Sequence, residues 1–308
     1  MNETDETAPV EHLSDGRMRK LLDRYRVAKG KGFKLKDYDP TDTAGHLVHK
    51  HDAAAVLNGG VEHLSRLQEK LYAQDRWSLL VVFQAMDAAG KDGTIKHVMS
   101  GVNPQGVQVT SFKAPSAEEL RHDFLWRAVR ALPERGKIGI FNRSYYEDTL
   151  VVRVHPSLLN QQRLPPELVG KNIWDKRLNA IAGFERFLAD QGTVVLKFFL
   201  HISKEEQKRR FMERLDDKNK NWKFSASDLT ERNYWDEYQD IYEKTIAATA
   251  TSHAPWFVVP ADNKWFTRLV VVAAIVDALE RLDLAPPPLS LAEAGAIAAA
   301  RAQLMHET

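Results

Sequence analysis

The 308-residue chain has no cysteine, which excludes disulfides and cysteine-ligated zinc and lends no support to an oxidising compartment. It also lacks a long hydrophobic stretch. The longest apolar run, Leu269 to Val276, is far too short to span a bilayer. Net charge is scarce: 43 Lys and Arg stand against 42 Asp and Glu, so no general attraction to nucleic acid or anionic lipid is implied. The opening residues, MNETDETAPVEHLSDG, are acidic and carry no apolar h-region, so no secretory signal is expected. What is present is an ordinary soluble composition, 44% hydrophobic and 28% charged, in a chain long enough for one large α/β domain with tails. Cytoplasm is the expected location.

Five short apolar runs, SLLVVFQ, VQVTSF, KIGIFN, TVVLKFFLH and PWFVVPA, are separated by longer helical patterns. Continuous runs suit strands buried on both faces of a parallel sheet, and their alternation with helices predicts a doubly wound α/β fold. Ligands of such folds gather at the carboxyl ends of the strands. The ends of the first four runs carry QAMDAAGKDG, KAPS, NRSYYED and ISKEEQKRR, so the polar chemistry converges on one edge of the sheet.

The first of these reads A-M-D-A-A-G-K over residues 85–91, a phosphate loop in all but its first position. Backbone N–H groups of Ala88, Ala89, Gly90, Lys91, Asp92 and Gly93 would curl around an anion at a helix N-terminus. Lys91 supplies the point charge. Ala85 stands at the usual glycine position, and alanine tolerates positive φ poorly. Asp92 replaces the hydroxyl residue that normally ligates Mg²⁺; Asp87 is its natural substitute, since hard cations take carboxylate oxygens. A turn-stabilising role for Asp87 is the alternative.

After the third run come Asn142, Arg143, Glu147 and Asp148. The arginine fork suits phosphate, and Asp148 is the better candidate for a metal position opposite Asp87. A plain Arg143–Glu147 ion pair is the bland alternative. Beyond the fourth run, residues 207–223 hold seven Lys or Arg against three acids. Arg209, Arg210 and Arg214 lie on a helix, and Lys218, Lys220 and Lys223 follow in DKNKNWKFS, which interrupts the helical pattern as a loop would. Such a segment would close over phosphates and exclude water. A solvated charged face, or a single-strand nucleic-acid contact through Trp222 and Phe224, is the competing reading. Lys113, Asp123 and Arg127, beyond the second run, are candidates for the acceptor side.

Together the stretches MDAAGKDGTIKHVMSGVNPQGV, SFKAPSAEELRHDFLWR, IFNRSYYEDTLVVRVHP, FFLHISKEEQKRRFMERLDDKNKNWKFSASD and APWFVVPADNKWFTRL resemble the second family of polyphosphate kinases. The text around Gly101 to Val107 is most similar to its class III members, which accept nucleoside mono- and diphosphates. The resemblance implies a three-layer P-loop kinase fold, thymidylate-kinase-like, with a parallel sheet, helices on both faces and a helical lid. It implies Mg²⁺, with Mn²⁺ able to substitute, and transfer between inorganic polyphosphate and AMP, ADP, ATP or guanine counterparts. It places Asp87, Lys91, Asn142, Arg143, Asp148 and the lid arginines on the family's functional positions. The expected organisation is a disordered acidic tail at 1–15, a P-loop polyphosphate kinase domain at 16–284 with its lid at about 203–235, and a C-terminal helical tail at 285–308. Neither nucleic acid nor membrane is expected as a partner, and a homo-oligomer is. The rivals are an ATP-dependent nucleoside monophosphate or small-metabolite kinase and, from another class, a non-catalytic polyphosphate or nucleic-acid binding module.

Overall fold

The five apolar runs become five parallel strands. The computed structural model describes residues 16–44, 49–219 and 221–307, so the tail at 1–15 lies outside the described residues. Its strands are β1 (Arg26–Val27), β2 (Ser78–Ala85), β3 (Val107–Ser111), β4 (Ile138–Asn142), β5 (Thr193–His201) and β6 (Trp256–Pro260). They form one sheet in the order β1-β6-β5-β2-β4-β3, with every pairing parallel except β1 against β6. Leu79 of β2 lies opposite Ile138 on one side and Val194 on the other, in the centre of the sheet. From β2 the chain crosses first to β3 and β4 on one side of it and then to β5 and β6 on the other. The carboxyl end of β2 therefore opens at the switch point where α/β folds bind ligands.

The helices are α1 (Gly16–Tyr25), α2 (Ala53–Gln74), α3 (Lys91–Val98), the one-turn α4 (Trp126–Val129) and α5 (Val151–Val154), α6 (Ile173–Asp190), α7 (Lys204–Asp216), α8 (Ala226–Arg232), α9 (Trp235–Thr249), α10 (Lys264–Glu280) and α11 (Leu291–His306). Successive residues of β2 and β6 are buried, so both sheet faces are covered. Helix α10 packs with α1, α2 and α3, while α6 packs with α9. The apolar run Leu269 to Val276 is the buried interior of α10, and among the described residues no helix is long and apolar enough to cross a membrane. Helix α11, which follows a proline-rich connection, has no buried residue.

One buried ion pair ties the sheet to the turn that follows β4. Lys197, in the middle of β5, and Glu185, on α6, are both fully buried and 2.5 Å apart. Lys197 Nζ also donates to the Thr249 carbonyl at 2.8 Å and to Tyr146 Oη at 3.2 Å. Tyr145 and Tyr146, which follow Arg143 in the chain, both donate their hydroxyls to Glu185. Burial lowers the Lys197 pKa, and the Glu185 carboxylate opposes it. Removing one partner strands the other charge away from water. Lys197→Met should therefore cost about 3 kcal/mol, and Lys197→Met with Glu185→Leu less than the single change, read from urea unfolding midpoints. A double variant less stable than either single one would contradict this.

Candidate active site

The phosphate loop is built by the end of β2 and the start of α3. Ala85 is still in the strand, in register with Leu200, so alanine there meets no left-handed backbone. The left-handed positions fall later, at Ala88 (φ 62°) and Gly90 (φ 103°). The expectation that residue 85 bears the loop's conformational demand is thereby corrected. Ala88 carries it instead, at a cost of about 1 kcal/mol, while glycine at 90 meets it freely. Gly90 is the N-cap of α3, and its carbonyl accepts from Thr94 at 2.9 Å.

Lys91 opens α3 with its ammonium 3.0 Å from the Ala85 carbonyl. Burial lowers its pKa, with the Asp87 carboxylate acting the other way. An arriving phosphate would supply the counter-charge that burial withholds. Across the loop, Arg143 follows the last residue of β4 in a left-handed conformation (φ 64°), held by its N–H on the Phe83 carbonyl at 3.0 Å. This turn swings the guanidinium over the loop, where Nη2 lies 3.4 Å from Asp87 Oδ1 and Nη1 lies 4.0 Å from Glu147. Glu147 also accepts from Gln84 at 2.8 Å, and Asn142 donates to Asp92 at 2.7 Å.

Asp87, Lys91, Asp92, Asn142 and Arg143 line a cavity of about 700 Å³, which Gln84 and Glu147 do not border. The structure brings to it Asp87, the whole stretch 88–93, Lys113, Asn142, Arg143, Arg210 and Arg214. The segment expected as a lid supplies one wall through α7, the turn at Asn221–Lys223 and α8. Ser203 caps α7 and is itself tied to Asp262 beyond β6, so the root of the lid is fixed to the strand ends.

Several expected residues lie elsewhere. Asp148 does not line this cavity. It is buried, its carboxylate 3.8 Å from Arg177 and 3.9 Å from Arg127, and it accepts from Gln162 at 2.6 Å. A carboxylate enclosed by two guanidiniums has no open side toward a metal shared with Asp87. Arg209 faces outward, paired with Glu206 and Glu213 of its own helix, because neighbours on a helix point about 100° apart. Asp123 and Arg127 border a separate small cavity with Asp148, although Arg127 reaches the Lys113 carbonyl at 2.8 Å. Lys218 is exposed outside the main cavity, and Lys220 and the side chain of Lys223 lie outside the described residues.

Sequence reading missed Lys264, Glu213 and Asp228 on the cavity wall. Lys264 stands just past the end of β6, so extending the strand-end rule to the fifth run would have found it. Burial, then Arg210, lowers its pKa; burial, then Asp87, raises that of Asp228 on α8. Nothing in the sequence pattern marks Glu213 or Asp228.

The Asp148 geometry has a testable consequence. Burial raises its pKa despite Arg127 and Arg177, and removing its charge leaves those two guanidiniums without their carboxylate. Asp148→Asn keeps an acceptor for Gln162 and should cost less stability than Asp148→Ala, read from melting temperatures. Asp148→Ala removes the acceptor and should cost about 2 kcal/mol. An Asp148→Asn protein less stable than Asp148→Ala would contradict this.

Comparison with known proteins identifies the family. The family model for polyphosphate kinase 2 matches residues 48–285. An ADP-polyphosphate phosphotransferase of Rhodopseudomonas palustris is 50% identical over 92% of this chain and 98% of its own length. An AMP/ADP-polyphosphate phosphotransferase of Meiothermus ruber is 48% identical over 86% of this chain and 96% of its own. The crystal structure of polyphosphate kinase 2 from Arthrobacter aurescens TC1 superimposes with a TM-score of 0.81 at 42% identity, covering 90% of this chain and 95% of that one. The architecture is thus the P-loop kinase fold, and the chain belongs to the polyphosphate kinase 2 family.

Proposed function

We propose that the protein transfers phosphoryl groups from inorganic polyphosphate to nucleotides, AMP to ADP and ADP to ATP, with guanine nucleotides as further acceptors, reversibly and in the cytoplasm. The observation that carries this reading is the single cavity in which a phosphate loop meets cations from four other elements. Lys113 follows β3, Arg143 follows β4, Arg214 belongs to the lid, and Lys264 opens α10. A donor made of identical phosphates needs such charges along a track as well as at one point. The substrates named for the relatives point the same way.

In this reading Lys91 and the N–H groups of 88–93 hold the phosphate being transferred. A β-phosphate oxygen of ADP forms the new P–O bond as the terminal anhydride bond of the polymer breaks, and the polymer leaves one phosphate shorter. Arg143 and Arg214 stabilise the charge on the loosely bonded transition state. The lid excludes water, which would otherwise hydrolyse the donor.

A divalent cation, Mg²⁺ with Mn²⁺ as its substitute, fits Asp87. The carboxylate is a hard oxygen donor about one-third exposed at the cavity. Among the described residues no group of three His, Cys, Asp or Glu forms a cage, which suits an ion that takes one or two carboxylates and completes its shell with phosphate and water. When bound, it neutralises phosphate charge. The acceptor range is tested by supplying AMP, ADP, GMP and GDP singly with polyphosphate and Mg²⁺. Phosphorylation of both adenylates is the expected result, and none of any acceptor would overturn the reading.

A further inference from the structure

Arg210 lies at the root of the lid, only 4% exposed, and every donor of its guanidinium faces another protein group. Nη1 donates to the carbonyls of Ala88 at 3.0 Å and Ala89 at 2.8 Å. Nη2 donates to the carbonyls of Ala261 at 2.6 Å and Asp262 at 3.2 Å. Nε donates to Glu206 Oε1 at 2.7 Å. An arginine has five N–H groups, and these five bonds use all of them. The side chain therefore has no donor left for a phosphate in this arrangement, although it borders the cavity.

What it does hold is the phosphate loop. A trans peptide is planar, with its C=O and N–H on opposite sides. Drawing the carbonyls of Ala88 and Ala89 toward Arg210 turns the N–H of Gly90 the other way, while the Ala89 N–H donates to the Met86 carbonyl at 3.3 Å. It also keeps two partial negative charges off the anion. The same fork fixes the loop to the end of β6, and Nη1 lies 3.6 Å from where a side chain at Gly90 would begin.

We propose that Arg210 is a positioning residue that sets the anion-binding shape of the phosphate loop and links it to the base of the lid. This role replaces the direct contact with reacting phosphates expected from its place beside Arg214. The catalytic part of the inference rests on the function proposed above; the structural part does not.

The test is Arg210→Lys, which keeps the charge but has three donors on a flexible stem in place of a rigid fork. Two readouts are taken: hydrogen–deuterium exchange of the free protein across residues 84–94, and kcat with KM for ADP and polyphosphate. Exchange in the loop should rise above the parent while the core strands stay protected. Turnover should fall about 10²-fold, with KM changed far less, because misplaced donors lose their grip on the transition state first. Loop exchange equal to the parent's overturns the proposal. If turnover is then also lost, Arg210 touches phosphate directly; if it is kept, the fork is dispensable. Should Arg210→Lys fail to fold, Glu206→Ala removes the acceptor of Nε and should raise exchange in the same loop to a smaller degree; unchanged exchange there is equally fatal. A protein that never uses polyphosphate would still report on the loop through exchange.

Discussion

Lys91→Ala should fold as the parent does and lose about 10³-fold in turnover, close to 4 kcal/mol of barrier. The side chain is not part of the hydrophobic core, and its one hydrogen bond is to the Ala85 carbonyl. Its removal therefore leaves the loop backbone paired much as before. The ammonium is also held at a disadvantage: burial lowers its pKa, and Asp87 only partly compensates. In the proposed mechanism that disadvantage ends when phosphate charge arrives and is most fully relieved as charge spreads over the transferring group. Removing the cation consequently affects the transition state more than the ground state. Melting temperature checks the fold, and kcat measured at saturating polyphosphate and ADP checks the chemistry. Turnover near the parent's in a folded Lys91→Ala protein would remove the phosphate loop from the mechanism.

Asp87→Asn should lower turnover at least about 10²-fold at low Mg²⁺ and raise the Mg²⁺ concentration needed for half-maximal rate about tenfold or more. The amide keeps the shape of the side chain and its place beside Arg143, 3.4 Å away, but not the charge. A metal ligand and an acceptor-orienting base both need that charge, and they separate in the Mg²⁺ titration. Recovery of rate at high Mg²⁺ identifies the ligand; a low rate at every Mg²⁺ concentration identifies the base. If rate and Mg²⁺ dependence both match the parent, Asp87 does nothing beyond shaping the turn.

The five parallel strands were legible because each is a continuous apolar run, the pattern that burial on both faces requires. Strand β1 was not, since two residues beside a basic helix carry no periodicity and are placed only by pairing with β6. The phosphate loop was legible because its parts are consecutive residues. Asp148 lies outside the main cavity for a geometric reason. Residues Tyr145–Asp148 form a 3-10 turn, in which successive side chains point about 120° apart. Glu147 thus faces Gln84 and Arg143, while Asp148 turns toward Arg127 and Arg177. Arg177 comes from α6, far along the chain, and no local pattern announces it. The lid showed the same limit: adjacent arginines 209 and 210 read alike in sequence, yet one is half exposed and the other buried against the loop.

The central claim is that polyphosphate itself is the phosphoryl donor. The most direct measurement incubates the full-length protein with ADP, Mg²⁺ and long-chain polyphosphate, with no ATP added, and follows the phosphorus by ³¹P NMR. The account predicts that ATP γ-phosphate signal grows as internal polyphosphate signal falls, and that Lys91→Ala abolishes both changes. ATP formed with the polyphosphate signal unchanged, or phosphorylation of nucleotides only when ATP is supplied, would contradict it.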